Sequence, residues 1–402
     1  MMNGLSTSSL LSPALIEKTF TPTATRASLM AFVADGETAA TLEGCLSQLS
    51  IRDATIKSGG IAKAIRYLGA ERSPENIIVD ISLTDMPVSR VQDLAQLCEP
   101  GVTVIAIGDR NDIGLYRDLV QAGVSEYVVK PITPQLLAKA LSPRPTSADR
   151  IPVSRKLGKM VAFVGARGGV GTTTLAINLA WYLADRQKRR VLLLDLDLQN
   201  GDCALALNIS PTPGLCDALA NPQRIDSVFL ERTMAAHSER LFVLSAEEPL
   251  SADVDFRAEA IETLVGALRA QFHYIIVDVP RLPGAPYRRS LDMADIRIIV
   301  ADQTLRSVRD TVRLQAALGG GNAAHRNLIV ANRSGEGGRY VMTLEEMAKV
   351  DLRPNVVIPF RPKLFTAAGL ARHSRFTKAV AVLAKEISGH MPERTPWWRS
   401  VR

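Results

Sequence analysis

The sequence predicts two α/β domains, each built on a parallel sheet with helices on both faces. Three observations predict it. At 402 residues the chain is longer than one hydrophobic core usually serves. Short apolar runs alternate with segments of helical period, first over residues 27–141 and again over 160–390, which is the pattern of βα repeats. Between the two series, residues 142–159 read SPRPTSADRIPVSRKLGK, with three prolines, several basic residues and no apolar period. That is the composition of a linker.

In the first series the runs Leu29–Val33, Ile77–Ile81, Val102–Ile107 and Tyr127–Val129 read as strands, and Ala39–Leu49 and Asp112–Ala122 as helices. The second series begins at Met160 with MVAFVG and continues through VLLLDLD, LFVLSAE, YIIVDVP, IRIIVAD, NLIVANR and VVIPF. Most of these β-branched or leucine-rich runs are separated by helix-length segments, which describes a doubly wound sheet. The last helix is predicted over Phe376–Ile387.

Composition narrows the function classes. Hydrophobic content of 47% with 22% charged residues is ordinary for a globular protein, and an aromatic share of 5% argues against an all-β receptor-like module. No apolar run approaches the roughly 18 to 20 residues that span a bilayer, and the N-terminus lacks a basic region followed by an apolar stretch. A cytoplasmic location is therefore expected. Residues 1–26, rich in Ser and Thr, read as a disordered leader. Cys45, Cys98, Cys203 and Cys216 show neither CxxC spacing nor a neighbouring histidine and read as reduced thiols. The net charge of +7 is spread along the chain. It is compatible with nucleic acid, anionic lipid, an acidic partner or simply a solvated basic surface.

The chemistry concentrates after the strand Met160–Val164. Gly165–Gly171 is glycine-rich and Thr172–Leu183 has helical period, so the glycines lie between a strand and a helix N-terminus, the context that a phosphate loop requires. Glycines let backbone N–H groups approach an anion without a Cβ in the way, and the helix dipole adds to the attraction. Laid on GxxxxGK[ST], the segment ARGGVGTT departs twice: Ala166 replaces the first glycine and Thr172 the lysine, while Thr173 keeps the hydroxyl offered to Mg²⁺.

This segment resembles the loop of the ParA/MinD family of deviant Walker A ATPases, KGGVGKTT. The resemblance implies a doubly wound P-loop ATPase domain that binds ATP and Mg²⁺ through Gly165, Arg167, Gly168, Gly169, Val170, Gly171, Thr172, Thr173 and Thr174. Arg167 stands at the family's signature lysine; it keeps the charge with a different reach. Losing the second lysine at Thr172 removes a cation that steadies the β/γ-phosphates, so hydrolysis is expected to be weak or absent. VLLLDLDLQNGD is similar to the family's second strand and switch I, which implies a metal-side role for Asp195 and a catalytic, water- or metal-positioning role for Asp197. YIIVDVP resembles Walker B and implies Asp278 as a carboxylate of the metal shell. By the same resemblance Asn332 contacts the base and Pro359 lies near the adenine loop.

The first series resembles a response-regulator receiver, a flavodoxin-like fold. Asp80 ends IIVD at the phosphoacceptor position, Lys130 in YVVKP matches the lysine–proline after the fifth strand, and Asp35 in VADGE keeps one of two acidic residues expected after strand one. Ala34 replaces the other, and Gly108 replaces the switch Ser/Thr. A site with one supporting carboxylate holds Mg²⁺ poorly, so a degenerate receiver used for protein contact is expected.

A receiver-like domain ahead of a ParA/MinD-like one is the arrangement of the CpaE/TadZ proteins of Flp/Tad pilus assembly, which DVPRLPG and IPFRPKLFTAA also resemble. That resemblance implies a localisation factor for the pilus secretion machine, focal or polar. It would act as an ATP-stabilised homodimer in contact with cytoplasmic components of the machine, with no specific nucleic acid and at most indirect membrane contact. The alternatives are a DNA-partitioning ATPase and a phosphorylation-controlled response regulator. In the tail 391–402, Trp397 and Trp398 lie among Arg394, Arg399 and Arg402. Pro392 and Pro396 disfavour a membrane-lying helix, and a docking peptide is the expectation.

Overall fold

The computed structural model describes residues 27–142, 157–252, 255–319, 325–336, 341–360 and 375–388. The leader, most of the linker, the tail with its tryptophans and all of RPKLFTAA fall outside them. The chain divides into two compact units, one formed mainly by residues up to Gly158 and the other from Lys159 onward.

The first unit alternates β1 (Leu29–Val33), α1 (Gly36–Gln48), β2 (Ala54–Ser58), α2 (Gly60–Ala70), β3 (Asn76–Asp80), α3 (Pro87–Leu97), β4 (Thr103–Gly108), α4 (Ile113–Gln121), β5 (Glu126–Val129) and α5 (Pro134–Leu141). All strands are parallel in the order β2-β1-β3-β4-β5, the flavodoxin-like order. Strand periodicity splits the core. Ile77 and Val79 pack with Leu94 and Leu119 on one face, while Ile78 packs with Leu42 and Leu137 on the other. Strand β2 was not legible as an apolar run because it is an edge strand, ATIKS, with no fully buried residue.

The second unit comprises β6 (Lys159–Gly165), α6 (Thr172–Asp185), β7 (Val191–Asp195), α7 (Cys203–Ala206), α8 (Gly214–Ala220), α9 (Ser227–Thr233), β8 (Ala235–Ala236), β9 (Leu241–Leu244), α10 (Ala258–Arg269), β10 (Tyr274–Val279), α11 (Ala285–Asp292), β11 (Ile296–Ala301), α12 (Leu305–Leu318), β12 (Arg326–Ser334), α13 (Leu344–Lys349), β13 (Val356–Pro359) and α14 (Arg375–Ser388). The sheet order is β13-β12-β11-β6-β10-β7-β9-β8, parallel except for the two-residue β8, which pairs antiparallel with β9. The seven predicted runs are the seven parallel strands. Strand β8 is too short to carry a period of its own.

Helix α6 is apolar on nearly every side, with Leu175, Ala176, Leu179, Ala180 and Leu183 fully buried, as expected of a helix covered by both sheet and helix. Helix α14 supplies the cover through Phe376, Val380, Leu383 and Ile387 at helical spacing. The consequence for function is positional. The loop after β6 leaves the carboxyl edge at the centre of the sheet, where successive connections turn from one side to the other and ligands bind in doubly wound folds.

Candidate functional site

The loop 166–171 is held from three directions. The Ala166 N–H donates to the Val300 carbonyl at the end of β11 (2.8 Å), and the Ala166 carbonyl accepts from Arg281. From β12, the Asn332 amide donates to the Val170 carbonyl (2.7 Å) and the Arg333 guanidinium to the Gly169 carbonyl (3.0 Å). With these carbonyls engaged from the β12 side, the loop and the first turn of α6 keep N–H groups that have no intrahelical partner. Two glycines are obligatory here. Gly171 has φ of 88°, and a Cβ on it would lie 2.6 Å from the Asn332 amide nitrogen; a Cβ on Gly165 would lie 2.6 Å from the Thr172 hydroxyl oxygen.

Beside the loop stand the carboxylates. Strands β7 and β10 pair in register so that Asp195 and Asp278 are direct neighbours, and both are buried. The Thr173 hydroxyl donates to Asp278. Burial, then the adjacent Asp195 charge, pushes the Asp278 carboxyl up to about 7. Burial also raises Asp195, against amide hydrogen bonds from Cys203 and Asp197 (both 3.1 Å) that pin the loop after β7. Gly201 closes this loop, since a Cβ there would fall 2.5 Å from the Asp195 carboxylate. Asp197 is half-buried and accepts from the Asn200 N–H of its own loop (3.0 Å).

Cys203 joins this group: its sulfur and the two carboxylates lie within 4.8 Å of one another. Sequence reasoning set Cys203 aside because its neighbours come from other strands. Burial raises its thiol pKa well above the ordinary value, and the Asp195 and Asp278 charges raise it further. It is thus kept protonated, and the hard oxygen donors Thr173, Asp195 and Asp278 are the ones suited to Mg²⁺. Two buried carboxylates side by side, with no recorded basic partner among the described residues, require a proton or a cation. Together with the glycine loop, this donor set fits a nucleotide with its magnesium ion.

Arg167 points elsewhere. Its guanidinium donates to Asp310 of α12 (3.1 Å) within the same chain. Sequence reasoning missed Asp310, Arg281 and Arg333 because nothing in their spacing ties them to the loop. Pro359 ends β13 opposite Ser334 of β12, the Phe360 N–H donates to the Ser334 carbonyl (2.8 Å), and residues 361–374 lie outside those described.

In the first unit Asp80 is fully enclosed. Its Oδ1 accepts from the Ser82 N–H (2.9 Å) and hydroxyl (2.6 Å), and its Oδ2 from the Ala34 N–H (3.2 Å) and the Lys130 ammonium (2.9 Å). Burial alone would raise its pKa; these hydrogen bonds, led by the Ser82 hydroxyl and Lys130, outweigh that and hold it below the usual range. Lys130 also reaches Asp35 (3.3 Å), whose other oxygen caps α1 at Thr38 (2.6 Å). A Cβ at Gly108 would lie 2.5 Å from the Tyr127 hydroxyl, so a Ser or Thr at that position has no room beside the tyrosine.

Residues 158–318 match a family model described as an AAA domain. The septum site-determining protein MinD of Synechocystis is 31% identical over 176 residues, which cover 43% of this chain and 64% of that protein. Thus the chain spans less than two thirds of that relative. Among solved structures, a ParA family ATPase from Chlorobium tepidum superposes with a TM-score of 0.51 at 24% identity, over 57% of this chain and 98% of that one. The second unit has the ParA/MinD-like ATPase fold. A pilus assembly protein CpaE from Caulobacter crescentus is 33% identical over 29% of this chain and 90% of that one, with a TM-score of 0.27, too low to equate folds. On the ParA/MinD-like fold the glycine loop, Thr173 and Asp278 converge at the carboxyl edge of β6 and β10, and among the described residues no helix is long and apolar enough to cross a membrane.

Proposed function

We propose that the chain is an assembly and localisation factor for a Flp/Tad-type pilus secretion machine, working as an ATP-stabilised homodimer with weak or absent hydrolysis. One observation carries the reading: a flavodoxin-like unit with a sealed Asp80 precedes a ParA/MinD-like unit whose glycine-rich phosphate loop has Ala166 at the first glycine, Arg167 at the signature lysine and Thr172 at the second lysine. The first feature disfavours a phosphorylation switch and the second disfavours rapid turnover. What they leave is a binding protein whose nucleotide is a ligand.

In this reading the N–H groups around Gly168–Thr174 hold the phosphates, and Thr173, Asp195 and Asp278 hold the ion. A Mg²⁺ ion held there would supply charge neutralisation for the phosphates. Asn332 and Arg333 keep the loop shaped for that anion before it arrives, so less ordering is paid on binding. A ligand that binds only the dimer shifts the association equilibrium by its differential affinity, and Arg167 must leave Asp310 if it is to serve the partner's site.

The test is a fluorescent fusion followed in cells with and without the pilus genes, alongside the molar mass of purified protein with and without ATP and Mg²⁺. Pilus-dependent foci and an ATP-dependent dimer are expected. Foci that track the nucleoid irrespective of pilus genes would replace this reading with a DNA-partitioning ATPase, the function named for relatives such as the Treponema pallidum chromosome-partitioning ATPase Soj.

A further inference from the structure

We infer that the exposed face of α12 is a docking surface for an acidic peptide segment of a partner protein. The inference goes beyond the assembly reading, which uses only Asp310 of this helix and none of its arginines.

The observation is an imbalance of charge at Asp310, which is buried at 3% exposure. Its Oδ1 accepts from Arg309 Nε (3.0 Å) and Nη2 (2.9 Å), with Arg313 Nη1 at 3.9 Å. Its Oδ2 accepts from Arg167 Nη1 (3.1 Å) and lies 3.5 Å from Arg281 Nη1. Four guanidinium groups thus converge on one carboxylate. The Arg309 hydrogen bond leads in holding that carboxyl below its usual range, and Arg281 adds to it.

Like charges gathered around one counter-charge leave an unneutralised excess. The excess is presented outward, with the Arg309 and Arg313 side chains 62% and 72% exposed. Arg306, one turn earlier on the same helix face, is exposed and has no ion pair among the described residues. The three span about 10 Å of helix.

The class of anion follows from what lies beside them. Leu305 and Val312, two turns apart on α12, are 55% and 42% exposed beside Arg309. A phosphate backbone offers nothing to such side chains, whereas a peptide with alternating acidic and apolar residues satisfies both the guanidinium forks and the apolar steps. Because Arg167 and Arg281 meet the same Asp310, a carboxylate docked here competes for guanidinium groups that also touch the phosphate loop.

The experiment uses the full chain and a short labelled peptide of alternating glutamate and leucine, read by fluorescence anisotropy at low and moderate salt. Wild type is expected to bind, more weakly as salt rises. Arg306→Glu with Arg313→Glu should weaken binding about tenfold or more while melting temperature and nucleotide binding hold. Arg306→Gln with Arg313→Gln, which is less disruptive should the reversed pair fail to fold, should give a smaller loss in the same direction. No binding by wild type, or equal binding by the variants, overturns the proposal. So does a DNA duplex that binds this face in a manner abolished by the same variants while the peptide fails to compete.

Discussion

The Asn332 side-chain amide donates to the Val170 carbonyl at 2.7 Å, joining the end of β12 to the middle of the phosphate loop. Asn332 is buried at 7% exposure, so the contact is shielded from water. Asn332→Ala leaves that carbonyl without its partner and is expected to cost about 1–3 kcal/mol of stability. ATP affinity should fall with it, because the loop loses a brace. Thermal unfolding and nucleotide titration check this. Unchanged affinity would mean that the remaining contacts of Ala166 and Gly169 hold the loop without it.

This brace marks the boundary of what the sequence made legible. The glycines, Thr173, Asp195 and Asp278 could be placed because strand-loop-helix punctuation and apolar runs fix which residues leave the carboxyl edge of the sheet. Asn332 was singled out by resemblance as a base contact; in the structure its amide braces the loop, a tertiary contact that spacing along the chain does not encode. Asp310 was invisible for the same reason, lying mid-helix between arginines that look like a solvated face. Arg167, placed by resemblance among the nucleotide contacts, here rests on Asp310. Cys203 met no metal pattern in sequence because the register of β7 with β10 brings its companions together. Strand β2 failed for a simpler reason: an edge strand without buried residues has no apolar signature.

Thr172 stands where a lysine would meet the β/γ-phosphates. Wild type is expected to bind ATP with Mg²⁺ and release little phosphate. Thr172→Lys should raise turnover by about 10²-fold if the missing charge is the chief defect, since one well-placed electrostatic donor is worth that much. Labelled-nucleotide binding and phosphate release, measured together, decide it. Turnover in wild type equal to that of the lysine variant would remove Thr172 from the account, and Mg²⁺-dependent binding that survives Thr173→Ala would remove the role assigned to that hydroxyl.

Asp278, pushed up to about 7 by burial and then by Asp195, makes a pH-dependent prediction. Its unfolded value is about 3.9, so from about pH 4 to about pH 7 the metal-free folded state binds more protons than the unfolded one. Metal-free stability therefore falls as pH rises through that window. Mg²⁺ must displace the proton, so its stabilising effect should be larger at about pH 8 than at about pH 6. Melting temperatures with and without Mg²⁺ and nucleotide at the two pH values test this. Asp278→Asn should flatten the metal-free dependence, and an equal Mg²⁺ increment at both pH values would argue against Asp278 as a ligand.

Asp80 supplies the last prediction. Its four hydrogen-bond donors, Ser82 twice, Ala34 and Lys130, leave a carboxylate with no free face for phosphoryl transfer, and Lys130 spans the gap to Asp35 that a metal would need. Removal is therefore a structural injury. Asp80→Ala leaves the Lys130 ammonium with Asp35 alone and two amides unpartnered, for an expected loss of about 3–5 kcal/mol, the scale for breaking one side of a buried ion pair. Asp80→Asn keeps the shape and part of the hydrogen bonding and should lose less. Because the first unit carries its own core, chemical denaturation with separate probes for the two units can show the loss there while ATP binding by the second unit persists. A phosphate-mimic such as beryllofluoride should neither bind wild type nor raise its stability. Stabilisation by that mimic, absent in Asp80→Asn, would show that the carboxylate can be freed and that the first unit works as a phosphorylation switch after all.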